Sequence, residues 1–351
     1  MRKIYLMENI RLYLLVFICF FISCSKDNVQ SSNAQITSNV FAKGADIGWL
    51  QQMEATGYKF YDSNGVQKDC MQILKEKGIN TIRLRVWVNP SEDKTDGYCS
   101  KKEMTMMAMR AKECGMRIMV DFHYSDSWAD PGKQTKPAAW ANHTFSQLLD
   151  DVYNYTYDVL DTLKQVSVNP EWVQIGNEIT NGMLWPDGNT NNWSQLAQLL
   201  NKGYDATKTI NKDIKVIIHL DQGNDNSHFR WFFDKANLYN VHYDVIGASY
   251  YPYWLNSDYT KNIKDLSNNL NDMASRYNKE VMVVEIGGDY TRVQNTSDML
   301  TAVMKAVKKV PNNKGLGVIY WEPEGEYSWS HYQLNCWQSN GEPSKAMDAF
   351  K

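Results

Sequence analysis

Cys114-Gly115-Met116-Arg117-Ile118-Met119-Val120-Asp121-Phe122-His123-Tyr124-Ser125-Asp126 carries the reading of the fold. A helical pattern over 101–114 stops at Gly115, which can take the left-handed turn that closes a helix. An apolar run over 117–122 follows at strand length, and polar and aromatic side chains crowd its carboxyl end. A helix, a tight stop, a short buried strand and a polar strand end make one unit of a βαβ pattern.

The same unit repeats on both sides. Strands are predicted at 44–47, 81–86, 117–122, 172–175, 215–220, 245–249, 281–284 and 317–320. Helical stretches such as 68–77, 101–114 and 144–165 fall between them. Eight strands, each followed by helix-like sequence, predict an α/β fold, a single (β/α)8 TIM barrel over 41–351. An open doubly wound sheet is the alternative, but no glycine-rich phosphate loop follows the first strand. Residues suited to chemistry cluster at the carboxyl ends of the strands, such as Trp87, Tyr251 and Trp321. In a barrel those ends share one face, where catalytic groups sit.

The chain has 351 residues with a formal net charge of -3, so no basic surface points to nucleic acid or anionic lipid. The 12 Trp, 21 Tyr and 11 Phe suit either a large aromatic core or a cleft that stacks sugar rings. Arg2, Lys3 and Arg11 precede an apolar run from Leu12 to Ile22 that is short for a membrane span. Ser23-Cys24 closes it as in a bacterial lipoprotein signal, where the cysteine is lipidated; an ordinary cleaved signal or a short anchor helix compete. On the first reading, 1–24 is a lipoprotein signal peptide and 25–40 a flexible linker rich in Ser, Asn and Gln. The protein would then be a cell-surface or periplasmic lipoprotein of a bacterium, tethered to the outer membrane. Cys70, Cys99, Cys114 and Cys336 show neither a disulfide framework nor metal-ligand spacing.

Two glutamates close apolar strands: Glu178 after Val173-Gln174-Ile175-Gly176-Asn177, and Glu285 after Val281-Met282-Val283-Val284. A carboxylate there must be solvated, paired or functional, because an unpaired buried charge is costly. A salt bridge to Arg83 or Arg85 would explain either one alone. Two carboxyls across one barrel mouth are what glycosidic hydrolysis needs, one protonated to assist the leaving oxygen and one ionised to attack or to activate water.

The stretches Asn80-Thr81-Ile82-Arg83-Leu84-Arg85-Val86-Trp87-Val88-Asn89-Pro90, Asp121 to Gln134, Gln174 to Glu178, Asp244 to Trp254 and Tyr320-Trp321-Glu322-Pro323 together resemble glycoside hydrolase family 53, the endo-β-1,4-galactanases. The resemblance implies a retaining mechanism with Glu178 as acid/base and Glu285 as nucleophile, and β-1,4-galactan as substrate. It gives Arg83 the task of keeping the nucleophile ionised, which Arg85 could share or take over. Asn177 would bind the sugar 2-hydroxyl, His123 and Tyr251 would buttress nucleophile and sugar, and Trp321 would lie beneath the ring. Trp87, Trp128, Trp140, Trp254 and Trp337 are candidates for outer subsites, and Asp46 and Asp126 for hydroxyl ligands, with capping as the competing account. The chemistry needs no cofactor, and the chain is expected to work as a monomer. Some members of the family carry an acidic calcium-binding loop soon after the nucleophile; here Gly287-Gly288-Asp289-Tyr290-Thr291-Arg292 is short and poor in carboxylates, so the sequence does not support calcium. A barrel glycosidase for mannan, xylan or glucan, a glycan-binding protein on a disabled barrel, and a structural lipoprotein are the competing readings.

Overall fold

The computed structural model describes residues 40–91 and 98–351. The predicted signal and linker, Cys24 included, lie outside the described residues apart from Val40. Each predicted strand is present, four of them with bounds differing from those read in the sequence: β1 Ala42–Asp46, β2 Thr81–Val86, β3 Arg117–Phe122, β4 Trp172–Ile175, β5 Lys215–Leu220, β6 Val245–Tyr250, β7 Glu280–Ile286 and β8 Gly315–Trp321. They pair in parallel in the order β1-β8-β7-β6-β5-β4-β3-β2 and close, β1 bonding both β8 and β2. The single (β/α)8 barrel is the observed fold.

Alternation along each strand sorts side chains between two cores. Ile82, Leu84 and Val86 on β2, and Ile118, Val120 and Phe122 on β3, belong to the layer packed under the helices. The intervening positions face the barrel axis. Ala42, Met119, Trp172, Ile217, Val245, Met282, Val284 and Ile319 make a separate apolar plug. Toward the carboxyl ends of the strands the same inward positions become polar: Asp46, Arg83, Arg85, Asp121, Gln174, His219 and Ser249, all buried. The plug closes the barrel below, and the polar layer above it is the floor of the site.

The helix limits follow local chemistry. The stretch read as 68–77 is the helix Cys70–Glu76, and it begins later because the Asp69 carboxylate caps the Gln72 N–H. The helix Lys101–Glu113 ends at Gly115, whose φ of +73° is the left-handed turn the sequence implied. The helix Phe145–Gln165 starts on a reciprocal Thr144–Gln147 capping box. A two-residue hairpin, Gly182–Met183 against Gly188–Asn189, follows β4 and was not foreseen. Strands so short carry no periodic signal.

One departure from regular alternation decides where Glu285 points. Met282 and Val284 face the axis, so a regular strand would turn residue 285 outward with Val283. The register slips by one residue on both flanks of β7: Ala248 pairs with Val283 but Ser249 with Glu285, and Val318 pairs with Val283 but Tyr320 with Ile286. This extra residue is a β-bulge. It aims Glu285 inward, beside Arg83.

Candidate active site

Arg83 is the hub of the polar layer. Its guanidinium is 1% exposed and has every carboxylate of the inner ring within reach: Asp46 at 2.6 Å, Asp121 at 2.9 Å and Glu285 at 2.9 Å. It also donates to Asn177 Oδ1 at 3.0 Å. Tyr251 donates its hydroxyl to the second Glu285 oxygen at 3.1 Å. Burial pushes the Glu285 carboxyl up to about 7, with Arg83 pulling against it. The Tyr251 hydroxyl is pushed well above its ordinary range by burial and by the Glu285 charge, so it stays a donor.

Glu178 enters the same hollow from the end of β4. Gly176 at φ +78° opens a sharp turn, and Glu178 itself stands in left-handed backbone at φ 45° and ψ 53°. Such backbone costs a non-glycine residue about 1–3 kcal/mol, and it persists where surrounding contacts dictate it. Here the Ser249 hydroxyl donates to Glu178 Oε1 at 2.6 Å. Burial pushes the Glu178 carboxyl well above its ordinary value, and the facing Glu285 charge adds to the push. Glu285 has a guanidinium in contact; Glu178 has only a hydroxyl. Glu285 is therefore the carboxyl that ionises first, and Glu178 the one that keeps its proton.

The two carboxyls line one hollow of about 250 Å³ with His123, Trp128, Asn177, Tyr251, Trp254, Trp321 and Tyr332. A second hollow of about 320 Å³, lined in part by Asp221, Gln222 and Asn224, meets the first at Glu178, Tyr251 and Trp254. Glu178 thus stands between two sugar-sized spaces, where a bond spanning them would lie. His123 accepts the Ala129 N–H on Nδ1 at 3.2 Å and so donates from Nε2 to Asp121 at 3.0 Å. Asn177 is anchored by donating to the Ala129 carbonyl at 2.8 Å.

Of the residues singled out in the sequence, Glu178, Glu285, His123, Asn177, Tyr251 and Trp321 meet at this hollow, with Arg83 beneath it. Trp87, Asp46 and Asp126 do not line it. Trp87 is 1% exposed and packs edge-on under Trp128 at 5.2 Å. Asp46 is fully buried, its carboxylate taken by Arg83, with Arg85 at 3.7 Å. Asp126 accepts the backbone N–H groups of Asn89 and Ala138, both at 2.8 Å, so the capping account holds. Arg85 does not substitute for Arg83: it pairs with Glu322 and lies 4.4 Å under the Trp128 ring. Trp140 and Trp337 are core residues, whereas Trp128 and Trp254 line the hollow. Asp121, Gln174, His219, Ser249 and Tyr332 were not singled out. All but Tyr332 lie at inward positions of strands read correctly, which is the signal that points to them.

The loop after Glu285 does not fit calcium. The Asp289 Oδ1 already accepts the Thr291 N–H and hydroxyl and the Gln333 amide, at 2.9, 2.7 and 2.9 Å. Among the described residues no cluster of three or more His, Cys, Asp or Glu could hold a metal ion.

The family model described as glycosyl hydrolase family 53 matches residues 42–350. An arabinogalactan endo-β-1,4-galactanase of Humicola insolens is 35% identical over 317 residues, 82% of this chain and 90% of that protein. The solved family 53 catalytic domain of Ignisphaera aggregans superposes with a TM-score of 0.83 at 33% identity, covering 90% of this chain and 96% of that one. A fungal β-1,4-galactanase superposes with a TM-score of 0.80 at 31% identity, covering 89% and 99%.

Proposed function

The chain belongs to glycosyl hydrolase family 53, a glycoside hydrolase family, and on that footing we propose that it cleaves β-1,4-linked galactan internally with retention of configuration, Glu285 as nucleophile and Glu178 as acid/base. The observation that carries the proposal is the unequal environment of two carboxyls in one hollow: Glu285 contacts Arg83 and Tyr251, while Glu178 holds only a hydroxyl.

In the first step a Glu285 oxygen attacks the anomeric carbon while the bond to the leaving O4 breaks, and Glu178 gives its proton to that oxygen. The product half leaves with a free 4-hydroxyl, and the other half is a glycosyl ester on Glu285. Esterification removes the Glu285 charge, one of the causes holding the Glu178 pKa up, so Glu178 becomes a base. It takes a proton from water, whose oxygen attacks the anomeric carbon as the ester bond breaks. Arg83, Tyr251 and Asn177 hold the reacting groups in place throughout. Trp128 and Trp321 offer ring faces and edges in the hollow, and Trp254 stands at its meeting with the second.

The test is incubation with potato-type β-1,4-galactan beside xylan and mannan, following the product lengths and the first-formed anomer. Mixed galacto-oligosaccharides with a β-anomeric reducing end are expected. Cleavage of xylan or mannan with galactan untouched would refute the substrate, and an α-anomer would refute retention.

We further propose that Cys24 is lipidated and that the enzyme is held on the outer membrane; the basic start, the apolar run and Ser23-Cys24 support it. In the native host, the activity should fractionate with membranes and move to the soluble fraction in Cys24→Ser. Soluble wild-type enzyme without acyl label would contradict the anchor. No helix of the described residues is long and apolar enough to cross a membrane.

A further inference from the structure

His219, on β5, is buried and lies next to two side chains that touch substrate space, yet the mechanism above does not use it. Its Nε2 has one polar neighbour, and its Nδ1 has two donors and one acceptor, the Asn177 Oδ1 at 3.1 Å. Nδ1 receives the Gln174 amide at 3.0 Å and the Glu178 backbone N–H at 3.4 Å. The Gln174 amide is itself oriented, since its Nε2 meets the Asp121 carboxylate at 2.6 Å and its Oε1 meets Arg83 at 3.2 Å. The Asn177 Oδ1 already receives Arg83 and Gln174, at 3.0 and 3.2 Å, and the Glu178 backbone N–H can only donate, so we assign the lone pair to Nδ1 and the ring proton to Nε2. Nε2 lies 2.8 Å from the Ser249 hydroxyl oxygen. With that oxygen accepting from the ring, the Ser249 proton is directed to Glu178 Oε1, 2.6 Å away.

We propose that His219 and Ser249 are positioning residues for the acid/base: they form a one-way chain of donors, Gln174 to His219 to Ser249 to Glu178, that occupies Oε1 and leaves the catalytic proton to Oε2. The inference rests on the reading of Glu178 as the acid/base. The chain does two things. It selects the oxygen from which the proton leaves, and it stabilises the carboxylate form against the surroundings. Those surroundings are mixed: Glu285 on β7 and Asp221 past β5 favour the protonated acid, Arg83 on β2 opposes it, and Asp130, Tyr251 and His123 border the hollow. Burial and the Arg83 charge keep His219 neutral, well below its ordinary pKa, so the donor chain does not change sign across the working range.

The sign of the effect follows. Ser249 donates to the carboxylate, so its removal favours the protonated form and moves the alkaline limb of the pH profile upward. The experiment compares kcat/KM against pH for wild type, Ser249→Ala and Ser249→Thr, on galactan and on a 2,4-dinitrophenyl β-galactobioside that needs no proton. Ser249→Ala should raise the alkaline limb by about one pH unit. It should lose roughly tenfold on galactan and less than about twofold on the aryl substrate. Ser249→Thr, which keeps the hydroxyl, should restore both. An alkaline limb that stays put, or equal losses on the two substrates, overturns the proposal.

If Ser249→Ala does not fold, His219 provides the same test. His219→Gln keeps a donor toward Ser249 and should match wild type, whereas His219→Asn keeps only the acceptor near Gln174 and should shift the limb; indistinguishable pH profiles would overturn the proposal. Failure of the underlying reading looks different: Glu178→Ala would then retain activity on galactan, whatever the serine variants do.

Discussion

Glu285→Ala is expected to lower turnover of galactan by on the order of 10⁵-fold while leaving galactan binding within the same range as wild type. The size follows from what the side chain does. Without it no covalent intermediate forms, and the site retains only positioning and the acid. Binding survives because Trp128, Trp321 and Asn177 line the hollow independently of the carboxylate. Glu285→Ala also leaves Arg83 with two buried carboxylates, Asp46 and Asp121, so the inner ring keeps its ion pairs. Kinetics on galactan together with affinity electrophoresis check it. Activity equal to wild type removes Glu285 as nucleophile; joint loss of binding and turnover points to collapse of the site.

Glu178→Ala should cost about 10²–10⁴-fold on galactan, whose sugar leaving group needs a proton. With 2,4-dinitrophenolate as leaving group the first step should be nearly spared, and added azide should accelerate the second and give a β-galactosyl azide. Azide can act there because it needs no base and fits the space vacated by the carboxyl. Equal loss on both substrates, with no azide product, would contradict the acid/base role. The same side chain serves as acid and then base only because its neighbour changes charge between steps, which is why the two carboxyls must share one hollow.

Much of this was legible in the sequence because a parallel barrel writes itself in short apolar runs. Arg117–Phe122 matched its reading to the residue, and its polar continuation marked the functional face. Inward and outward positions alternate, so Arg83 and Arg85 were placed on one face correctly. What separated them was not: Arg83 reaches Glu285, and Arg85 sits under Trp128 against Glu322. Two residues along a strand are about 7 Å, which is enough to leave one partner for another. Trp87 and Asp46 looked like ligands because they end strands, yet packing by Trp128 and pairing with Arg83 bury them. A strand end says which face a residue is near, not whether a later loop covers it. The bulge in β7 was invisible for a related reason. The run Val281-Met282-Val283-Val284 has no polar residue to break the alternation, and only pairing on both flanks reveals the extra residue that turns Glu285 inward. Ser249 and His219 were passed over because neither is a charged strand end, although both stand at inward positions.

The central claim is that Glu285 forms the covalent bond to sugar. Incubation with a 2-deoxy-2-fluoro galactobiosyl donor carrying a good leaving group should trap the intermediate, since fluorine slows its hydrolysis. Tryptic cleavage after Lys279 and Arg292 releases residues 280–292, which contain both Glu280 and Glu285. The account predicts that this peptide gains the mass of one fluorinated disaccharide and that fragmentation assigns it to Glu285. A label on Glu178 or Glu280, or turnover of the donor with inversion and no labelled peptide, would contradict it.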